Sequence, residues 1–385
     1  MLSSVFAKNT KKNTDGQITN VICNSAKQGL IPQREYFDKD IANSDNTSGY
    51  YIIEQNDFVY NPRKSSDAPY GPISSYKYPD AGIVSPLYLC FRAKKKINPS
   101  FFEWYFRSSA WHRYIYMSGD SGARHDRVSI KDDVFFAMPI NIPAVHEQEH
   151  IASFLEMIDQ RIEKQRALVD SLKKYKRGVT RGLFGPDKSS CKAEIQMVSL
   201  GDLFPFIRNG FVGTVTPYFT DKEHGIRYLQ GTNIHAGNIT DDTAYYVTAD
   251  FNEKHAKNIL KRDDILVVQS GHVGECAVVG MKYEGANCHA LIIMSNGGNC
   301  VSEYVAQYIN SEAGIKQIAS ITTGNTIRHI LASAIADLVI PIPSYEEQKR
   351  VAHLLSLYDK RISKEEQFLS ELEAKKKGLM QQLFI

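Results

Sequence analysis

The stretch PAVHEQEHIASFLEMIDQRIEKQRALVDSLKKYKRGVTRGLF at 143–184 decides the organisation of this chain, because a second version of it follows 200 residues later. That version, at 343–384, reads PSYEEQKRVAHLLSLYDKRISKEEQFLSELEAKKKGLMQQLF. The two align without a gap and are identical at 14 of 42 positions, among them Gln148 and Gln348. An ungapped match of this length indicates an internal duplication.

In both copies, mostly apolar residues recur at alternating steps of four and three residues. We call this stripe of residues the seam. A strict 3.5-residue period over more than four heptads is typical of a left-handed coiled coil. Polar residues interrupt both seams at the same two rungs, Gln165/Glu365 and Lys176/Lys376, and such interruptions restrict register and partner. The predicted apolar seam consists of Ile151, Leu155, Ile158, Ile162, Val169 and Leu172 in the first copy and Val351, Leu355, Tyr358, Ile362, Leu369 and Leu372 in the second.

Two arrangements of these helices are open. Each could be a core helix of its own domain, although packing against one globular face needs a broader apolar stripe. In the simpler alternative, the seam of one helix packs against the seam of the other. If a pseudo-two-fold axis relates the two repeats, the two helices are antiparallel. Ser344 with Glu347 predicts a capping box at the start of the second helix. Gly178 and Gly378 are candidate breaks before the last turn.

The repeat extends beyond the helices and divides the whole chain. Leu200–Phe204 resembles Leu2–Phe6 in its apolar positions, and 263–267 resembles 56–60. We predict an α+β fold in which two α/β domains are separated by two long helices that form an antiparallel coiled coil, with a pseudo-two-fold internal repeat. The predicted segments are a first domain at 1–142, a central helix at 143–184, a linker at 185–194, a second domain at 195–342 and a distal helix at 343–385.

The variable regions in front of the helices are predicted to be mixed α/β. Short β-rich runs alternate with turn residues, and each region closes with a helix, a polar glycine turn and a last strand. The predicted strands are 18–22, 50–53, 58–60, 87–91, 228–229, 244–247, 265–268, 277–279 and 291–294, and the closing helices are 99–117 and 302–318.

Composition excludes several classes of protein. The 385 residues are 43% hydrophobic and 23% charged, which is ordinary globular usage. The longest apolar runs are far shorter than the roughly 18 residues of a membrane helix, and no signal-peptide core opens the chain. Six cysteines without a CxxC pair make no disulfide framework, so we expect a cytoplasmic protein. The net charge is only +3, so a nucleic-acid surface would require local clustering of basic residues.

Several catalytic motifs are absent from the sequence. No GxxxxGK[ST] or GxSxG pattern occurs, and no glycine-rich turn offers a cofactor site. The letters HEQEH at 146–150 fit HExxH, but they lie in the heptad helix, and the second copy reads EEQKR at 346–350. Cys276, Cys288 and Cys300 are evenly spaced with His289 nearby, but packing within strands explains them better than zinc does. We therefore expect a non-enzymatic chain with no catalytic residues and no metal or cofactor of its own.

Hydrogen-bonding and cationic residues concentrate in turns of the variable regions. Arg pairs with guanine in the major groove, Asn or Gln pairs with adenine, and Lys or Ser suits phosphate, so these turns are candidates for DNA contact. The candidate residues are Tyr60, Asn61, Arg63, Lys64, Arg124, His125 and Arg127 in the first domain and Gln230, Asn233, Gln269, Ser270, His272, Asn325 and Arg328 in the second. Each residue alone is better explained as an ordinary exposed turn residue. The basic clusters 173–177 and 375–377 suit either a solvated helix end or phosphate contact.

With these features the sequence resembles the specificity (S) subunits of type I restriction-modification systems. The likeness is carried by Ile-x-Ile-Pro-x3-Glu-Gln at 140–148 and 340–348 and by the helix end Lys376–Phe384. Leu200–Phe204 resembles the opening of a target recognition domain, and Asn56–Pro62 also resembles family sequence. The likeness spans essentially the whole chain, although the first domain lacks the Gly-Asp of its second counterpart.

This resemblance implies a DNA reader without catalysis. Two target recognition domains would each read one half of a bipartite asymmetric site in double-stranded DNA, while the helices hold them apart. The helices would also dock two modification (methyltransferase) subunits, which in turn bring restriction (endonuclease and translocase) subunits. S-adenosylmethionine, ATP and Mg²⁺ would belong to those partners, and no membrane is involved.

Helix length then predicts a spacer. About 32 helical residues span about 48 Å at about 1.5 Å per residue. That length corresponds to roughly 14 base pairs at about 3.4 Å each, part of which is taken up by docking onto the domains. The alternative is a coiled-coil protein-interaction scaffold without DNA specificity, and a weaker third hypothesis is a nuclease or methyltransferase with a diverged site.

Overall fold

The chain divides into two compact units in the computed structural model, which describes residues 1–36, 47–119, 126–185, 195–324 and 328–384. Unit 1 contains residues 1–166 together with 367–385, and unit 2 contains residues 167–366. Each unit therefore combines one variable region with a segment of each long helix. Apart from Gly185, the predicted linker at 185–194 lies outside the described residues.

Unit 1 is built from short strands followed by helices. Strands β1–β8 are Phe6–Lys8, Ile22–Ser25, Gly29–Pro32, Tyr51–Ile53, Phe58–Tyr60, Ile73–Ser75, Gly82–Val84 and Leu89–Ala93. Helices α1–α4 are Gln33–Tyr36, Pro99–Arg107, His112–Ser118 and Asp132–Phe136, and α5 is Val145–Phe184, which begins in unit 1 and ends in unit 2. The central sheet has the order β1-β8-β5-β6, with every neighbouring pair antiparallel.

Aromatic side chains form the core that supports this sheet. The Phe6 ring meets Phe58, Phe91 and Phe102 edge to face, with centroids 5.3, 5.2 and 4.9 Å away. Pairs of this geometry contribute about 0.5–1.5 kcal/mol beyond their buried area. Because these rings come from three strands and α2, they pack β5 against its neighbouring strands and against the helix.

Unit 2 repeats this plan and adds a second four-stranded sheet. Strands β9–β20 are Gln196–Ser199, Phe206–Asn209, Phe219–Thr220, Ile226–Leu229, Ile234–His235, Asn238–Ile239, Tyr245–Val247, Ile265–Val268, Cys276–Val278, Asn287–Cys288, Leu291–Ser295 and Val339–Ile342. Helices α6–α11 are Leu200–Leu203, Ala249–Lys254, Ser302–Ile309, Glu312–Ile321, Ala332–Ala336 and Tyr345–Leu383, the last of which ends in unit 1. The sheet β10-β19-β16-β17 matches the central sheet of unit 1 strand for strand, and β11-β15-β12-β18 is the addition.

The turns that lead into β5 and β16 share one construction. Asn56 and Asp263 both adopt left-handed backbone conformations, with φ of 69° and 66°. The next residue in each, Asp57 or Asp264, is buried and accepts a hydrogen bond from the backbone N–H three residues before it, at 2.8 and 2.9 Å. Burial raises the pKa of Asp264. The resemblance between 56–60 and 263–267 is therefore a repeated structural turn.

The repeated glutamine has a structural task that its spacing did not reveal. Gln148 is only 2% exposed; its Oε1 accepts from the Asn98 N–H at 2.9 Å and its Nε2 donates to the Pro143 carbonyl at 2.9 Å. Gln348, also 2% exposed, makes the same two bonds, to Val301 N–H at 2.9 Å and the Pro343 carbonyl at 3.0 Å. In both units the side chain ties the long helix to the helix that closes the variable region.

Segments of the two long helices pack together inside each unit. In unit 1, Lys376 of α11 forms an ion pair with Asp159 of α5, and Arg166 bonds Glu373 at 2.6 Å. Residue numbers fall along α11 as they rise along α5, so these segments are antiparallel. Such partly exposed ion pairs contribute at most about 1 kcal/mol each, so their main effect is to fix the register.

Unit 2 contains the equivalent pairs. Lys176 bonds Asp359 at 2.5 Å, and Lys173 bonds Glu366 at 2.6 Å, again with opposite chain directions. All twelve predicted apolar seam residues are buried or half-buried. Among the described residues, no helix is both long and apolar enough to cross a bilayer.

Several predicted elements differ from the structure. The closing helices are each broken in two, and a serine lies at each break. Ser108 is the C-cap of α2 and Ser311 is the N-cap of α9, and each donates its hydroxyl to the carbonyl three residues back. The long helices run through Gly178 and Gly378, since a helical glycine costs only about 1 kcal/mol relative to alanine. Ser344 does cap its helix, accepting from Glu347 N–H at 3.4 Å.

Several strand boundaries shifted by one or two residues, for example Leu89–Ala93 for the predicted 87–91, and two strands differ more. The predicted strand 18–22 begins only at Ile22 and continues to Ser25 as one arm of the β2–β3 hairpin. The last strand exists in unit 2, where Val339–Ile342 pairs with Gln196–Ser199. In unit 1 the equivalent residues 139–142 are in no strand, because no described strand lies beside them.

Candidate nucleic-acid interface

The structure joins two predicted turns of unit 1 at the end of β5. Arg63 and Arg127, which are 64 positions apart in the sequence, form an antiparallel backbone bridge. Lys64 N–H donates to the Asp126 carbonyl and Val128 N–H to the Pro62 carbonyl, both at 2.9 Å. Two segments chosen only for their polar composition therefore form one continuous edge, which we call the unit 1 edge (Asn61–Lys64 with Asp126–Val128).

The side chain of Asn61 stabilises the unit 1 edge through two hydrogen bonds. Its Oδ1 accepts from the Arg63 N–H at 3.1 Å, and its Nδ2 donates to the Asn24 carbonyl at 3.2 Å. Gly71 approaches so closely, with φ of 83°, that a Cβ there would lie 2.1 Å from the Asn61 carbonyl oxygen. The side chain of Asn61 is thus occupied in holding the turn, whereas Arg63 and Lys64 next to it are exposed.

A cleft of about 900 Å³ lies beside the unit 1 edge. Arg63, Lys64 and Arg127 line it from the edge, and Lys27 lines it from the β2–β3 turn. Lys27 lies 3.6 Å from Asp67, but Arg63 and Lys64 form no ion pair within the described parts of the chain. The cleft therefore has excess positive charge available for a polyanion.

One predicted contact in unit 1 is wrong. Tyr60 is 1% exposed, stacks on Phe135 with centroids 5.3 Å apart, and donates its hydroxyl to the Tyr70 carbonyl at 2.8 Å. Burial also raises the pKa of this phenol. Tyr60 is the last residue of β5 and points into the core, so it supports the edge without reaching a ligand.

Unit 2 builds an equivalent edge at the end of β16. Ser270 and His329 form an antiparallel bridge, and the Ser270 Oγ lies 3.2 Å from the His329 Nδ1. Ile330 N–H donates to the Gln269 carbonyl at 3.1 Å, while Thr323 and His329 exchange two backbone bonds of 2.9 Å. We call residues 269–272 with 328–330 the unit 2 edge.

Two predicted contacts in unit 2 are also wrong. Asn233 is fully buried, where its Oδ1 accepts from Gln230 N–H and its Nδ2 donates to the carbonyls of Thr240 and Thr243. Gln269 is 6% exposed. A polar residue at the end of a strand can face either the core or the solvent, and the sequence pattern did not distinguish the two. Gln230 is half-buried beside Asn233.

The remaining candidates of unit 2 stay at the surface. Ser270, His272 and Arg328 are exposed. His272 and Arg328 line a cleft of about 820 Å³ that Lys173 and Arg177 of α5 also enter. Lys173 is paired with Glu366 and Lys176 with Asp359, which gives half of this basic cluster a structural role.

Some of the predicted residues lie outside the described residues, namely Arg124, His125 and Asn325. Sequence reasoning in turn missed Lys27 and Tyr88, which line the unit 1 cleft. Lys27 lies in the polar turn Ala26–Gly29 between two strands, a signal that was hidden because the first of those strands was placed too early. Burial raises the pKa of Tyr88.

The evenly spaced cysteines are core residues. Cys276, Cys288 and Cys300 are buried, and desolvation raises the pKa of Cys288 and of Cys300 to about 12. A buried thiol of this kind stays protonated and is a poor metal ligand.

Comparison with known proteins gives matches along almost the whole chain. Residues 5–171 and 192–374 match the family model for the type I restriction modification DNA specificity domain. The chain is similar to the type I restriction enzyme MjaVIII specificity subunit of Methanocaldococcus jannaschii, with 24% identity over 318 residues that cover 78% of this chain and 72% of the relative.

Solved structures give the same match in fold. A chain from a structure of type I restriction-modification complex assembly and conformational transition superposes with a TM-score of 0.64 at 15% identity, covering 99% of this chain and 95% of that one. The type I restriction-modification S subunit from M. genitalium gives a TM-score of 0.57 at 14% identity, covering 100% and 95%.

Proposed function

This chain belongs to the family of type I restriction modification DNA specificity domains, and we propose that it gives a type I restriction-modification complex its DNA sequence specificity. In this proposal each unit reads one half of a bipartite asymmetric site. The observation that carries it is the pair of edges at the ends of β5 and β16, each joined from two distant segments on an equivalent sheet.

The chemistry of the unit 1 edge supports base reading. Arg63 is exposed, is free of ion pairs within the described residues, and extends from a turn fixed by Asn61. A guanidinium held in this way suits bidentate bonding to guanine O6 and N7. Lys64 and Arg127 would place positive charge on the flanking phosphates.

The unit 2 edge supports reading of a different half-site. Ser270 and His272 offer hydrogen-bond donors and acceptors, and Arg328 adds one exposed guanidinium. Side chains of this kind match a base pattern other than the one that arginine pairs recognise. Different half-sites give an asymmetric target.

The two long helices would form one antiparallel coiled coil related by a pseudo-two-fold axis. The ion pairs Lys376–Asp159 and Lys176–Asp359 join equivalent residues of the two repeats, which supports this arrangement. A rod of fixed length would then set the number of unread base pairs between the half-sites. We further propose that the exposed faces of the helices dock two modification subunits.

Catalysis in this proposal belongs to other subunits. The chain would act as a non-catalytic cytoplasmic adaptor, with S-adenosylmethionine on the modification subunits and ATP and Mg²⁺ on the restriction subunits. Family membership does not favour the alternative of a protein-interaction scaffold without DNA specificity.

A domain exchange tests the proposal directly. Residues 1–140 are replaced by the corresponding region of another family member, and the chain is expressed with its modification subunits in cells whose methylated sites are then sequenced. One half of the methylated motif should change while the other half and the spacer stay the same. The reciprocal exchange of 195–340 is the matched control. A change in both halves from either exchange would refute modular reading.

A further inference from the structure

We propose that unit 2 binds one divalent transition metal ion, of the Zn²⁺ class, through His235, His272 and Glu275. The ligand atoms of these three side chains all lie within 4.8 Å of one another. Two imidazoles and one carboxylate form a donor set that suits Zn²⁺, Co²⁺ or Ni²⁺ better than Mg²⁺ or Ca²⁺, which prefer oxygen ligands alone. This inference goes beyond the proposed function, with which it shares His272, and it departs from the expectation that the chain binds no metal.

The two imidazoles already face one another. Their ring centroids are 5.4 Å apart and their planes differ by 14°. His272 Nε2 lies 3.2 Å from the Ile234 carbonyl, and because a carbonyl can only accept, this nitrogen carries the proton. The lone pair of a neutral His272 is therefore on Nδ1. A metal-binding histidine commonly has its second nitrogen held by a backbone carbonyl in this way.

Glu275 supplies an independent observation. Its Oε2 is buried and has no hydrogen-bond partner among the described residues. A buried polar atom without a partner destabilises the fold, and the cost is larger when the atom is charged. A bound cation at this position would satisfy the unpaired oxygen.

The backbone presents the histidines from two tight turns. His235 ends β13, and the β13–β14 hairpin turns through Ala236 and Gly237, with φ of 49° and 82°. Two central residues with positive φ are typical of a type I′ hairpin, in which alanine is strained. Strain of this kind persists where the surrounding structure requires it.

The second turn carries His272 and Glu275 and is equally constrained. Gly271 and Gly274 have φ of 89° and 92°. A Cβ at Gly274 would lie 2.4 Å from the Cγ2 of Ile318, so the loop is packed against α9. Val268 closes the loop at its base by accepting from Gly274 N–H and donating to the Glu275 carbonyl, at 2.9 and 2.8 Å.

Metal binding needs only a small movement. Ligand atoms on a tetrahedral zinc ion lie about 3.4 Å apart, given metal–ligand distances of about 2.0–2.2 Å. The exposed histidines can close the remaining gap by side-chain rotation. The ion would then join the hairpin to the loop of the unit 2 edge, with a water molecule in the fourth position.

Titration of the full-length chain with Zn²⁺ after removal of metal tests the proposal. Calorimetry should give one site, binding should raise the melting temperature, and Co²⁺ should give the visible absorption of a tetrahedral complex. His235→Ala, His272→Ala and Glu275→Gln should each weaken binding at least tenfold. The exposed His224→Ala variant is the matched control and should bind as the wild type does.

A second histidine pair must be separated from this one. His146 and His150 lie one turn apart on α5, with ring centroids 6.3 Å apart. The titration is therefore repeated in a His146→Ala/His150→Ala background, where one equivalent should remain. Equal Zn²⁺ binding by wild type and by the His235→Ala/His272→Ala variant, with both folded by circular dichroism, would overturn the proposal. No DNA is present, so failure here leaves the proposed function untouched.

Discussion

The unit 1 edge and the unit 2 edge differ in chemistry although their backbones are built alike. Both follow the third strand, β5 or β16, in sheets of the same order, and both close by a bridge to a distant segment. The first bridge joins Arg63 to Arg127, whereas the second joins Ser270 to His329. The duplicated scaffold has kept the bridge and one of its backbone hydrogen bonds, Val128 N–H to Pro62 in unit 1 and Ile330 N–H to Gln269 in unit 2, while the side chains that face solvent have diverged. If the proposed function is right, the backbone bonds of the edges serve stability and the exposed side chains serve recognition.

The largest expected effect comes from changing what the two units share. Removing seven residues from each long helix, 165–171 and 364–370, keeps the heptad phase and shortens the rod by about 10 Å. The unread spacer should then shrink by about 3 base pairs, as measured by sequencing methylated sites. Replacing the same seven-residue stretches with other heptads should leave the spacer unchanged. A spacer that stays the same after deletion would rule out the helices as its determinant.

The next effect tests whether the two glutamine contacts are equivalent. Gln148→Leu leaves the Asn98 N–H and the Pro143 carbonyl without their partner, as Gln348→Leu does for Val301 and Pro343. Each should lower the free energy of unfolding by about 2–3 kcal/mol, because the group left behind is desolvated. Urea unfolding measures this, with the exposed Gln160→Ala as control. A loss below about 0.5 kcal/mol at either position would show that the contacts are not equivalent.

A smaller effect separates the edges by specificity. Arg63→Ala should relax one base position in the first half-site at a cost of about 1–3 kcal/mol. Ser270→Ala should leave that half-site unchanged. Binding to a library of variant sites measures both. Uniform weakening by Arg63→Ala across all sequences would reassign this side chain to phosphate contact.

The smallest expected effect on DNA binding comes from removing one positive charge from the unit 1 edge. Lys64→Ala should weaken binding equally at every sequence and reduce the slope of log K against log salt by about 1. The exposed Lys77 of unit 1 lies within 2.9 Å of Glu103, so Lys77→Ala is a control lysine change outside the edge. A base-specific effect of Lys64→Ala would contradict its assignment to the phosphate backbone.

The sequence predicted the long helices, whose apolar residues recur over several heptads, and the strands formed by continuous apolar runs. The heptad spacing located both long helices, and Ile265–Val268 was placed without error because four consecutive apolar residues favour a strand buried on both faces. The two bridges could not be predicted, since they join segments about 60 residues apart through the backbone. The outcomes for Tyr60, Asn233 and Gln269 show a further limit. A polar side chain at a strand end faces the core or the solvent according to tertiary packing, which local composition does not contain.

Phe384 packs into the core of unit 1, whose other buried residues come from the first part of the chain. Its ring packs against Phe101 and Tyr105 in unit 1, with centroids 5.4 and 5.8 Å away. Residues 167–366 of unit 2 form one uninterrupted run, whereas unit 1 needs 367–384 to complete its core. On the ribosome the first part of the chain to emerge would thus be the last to mature. A nascent polypeptide released before Phe384 would leave aromatic surface uncovered, open to chaperones and proteases.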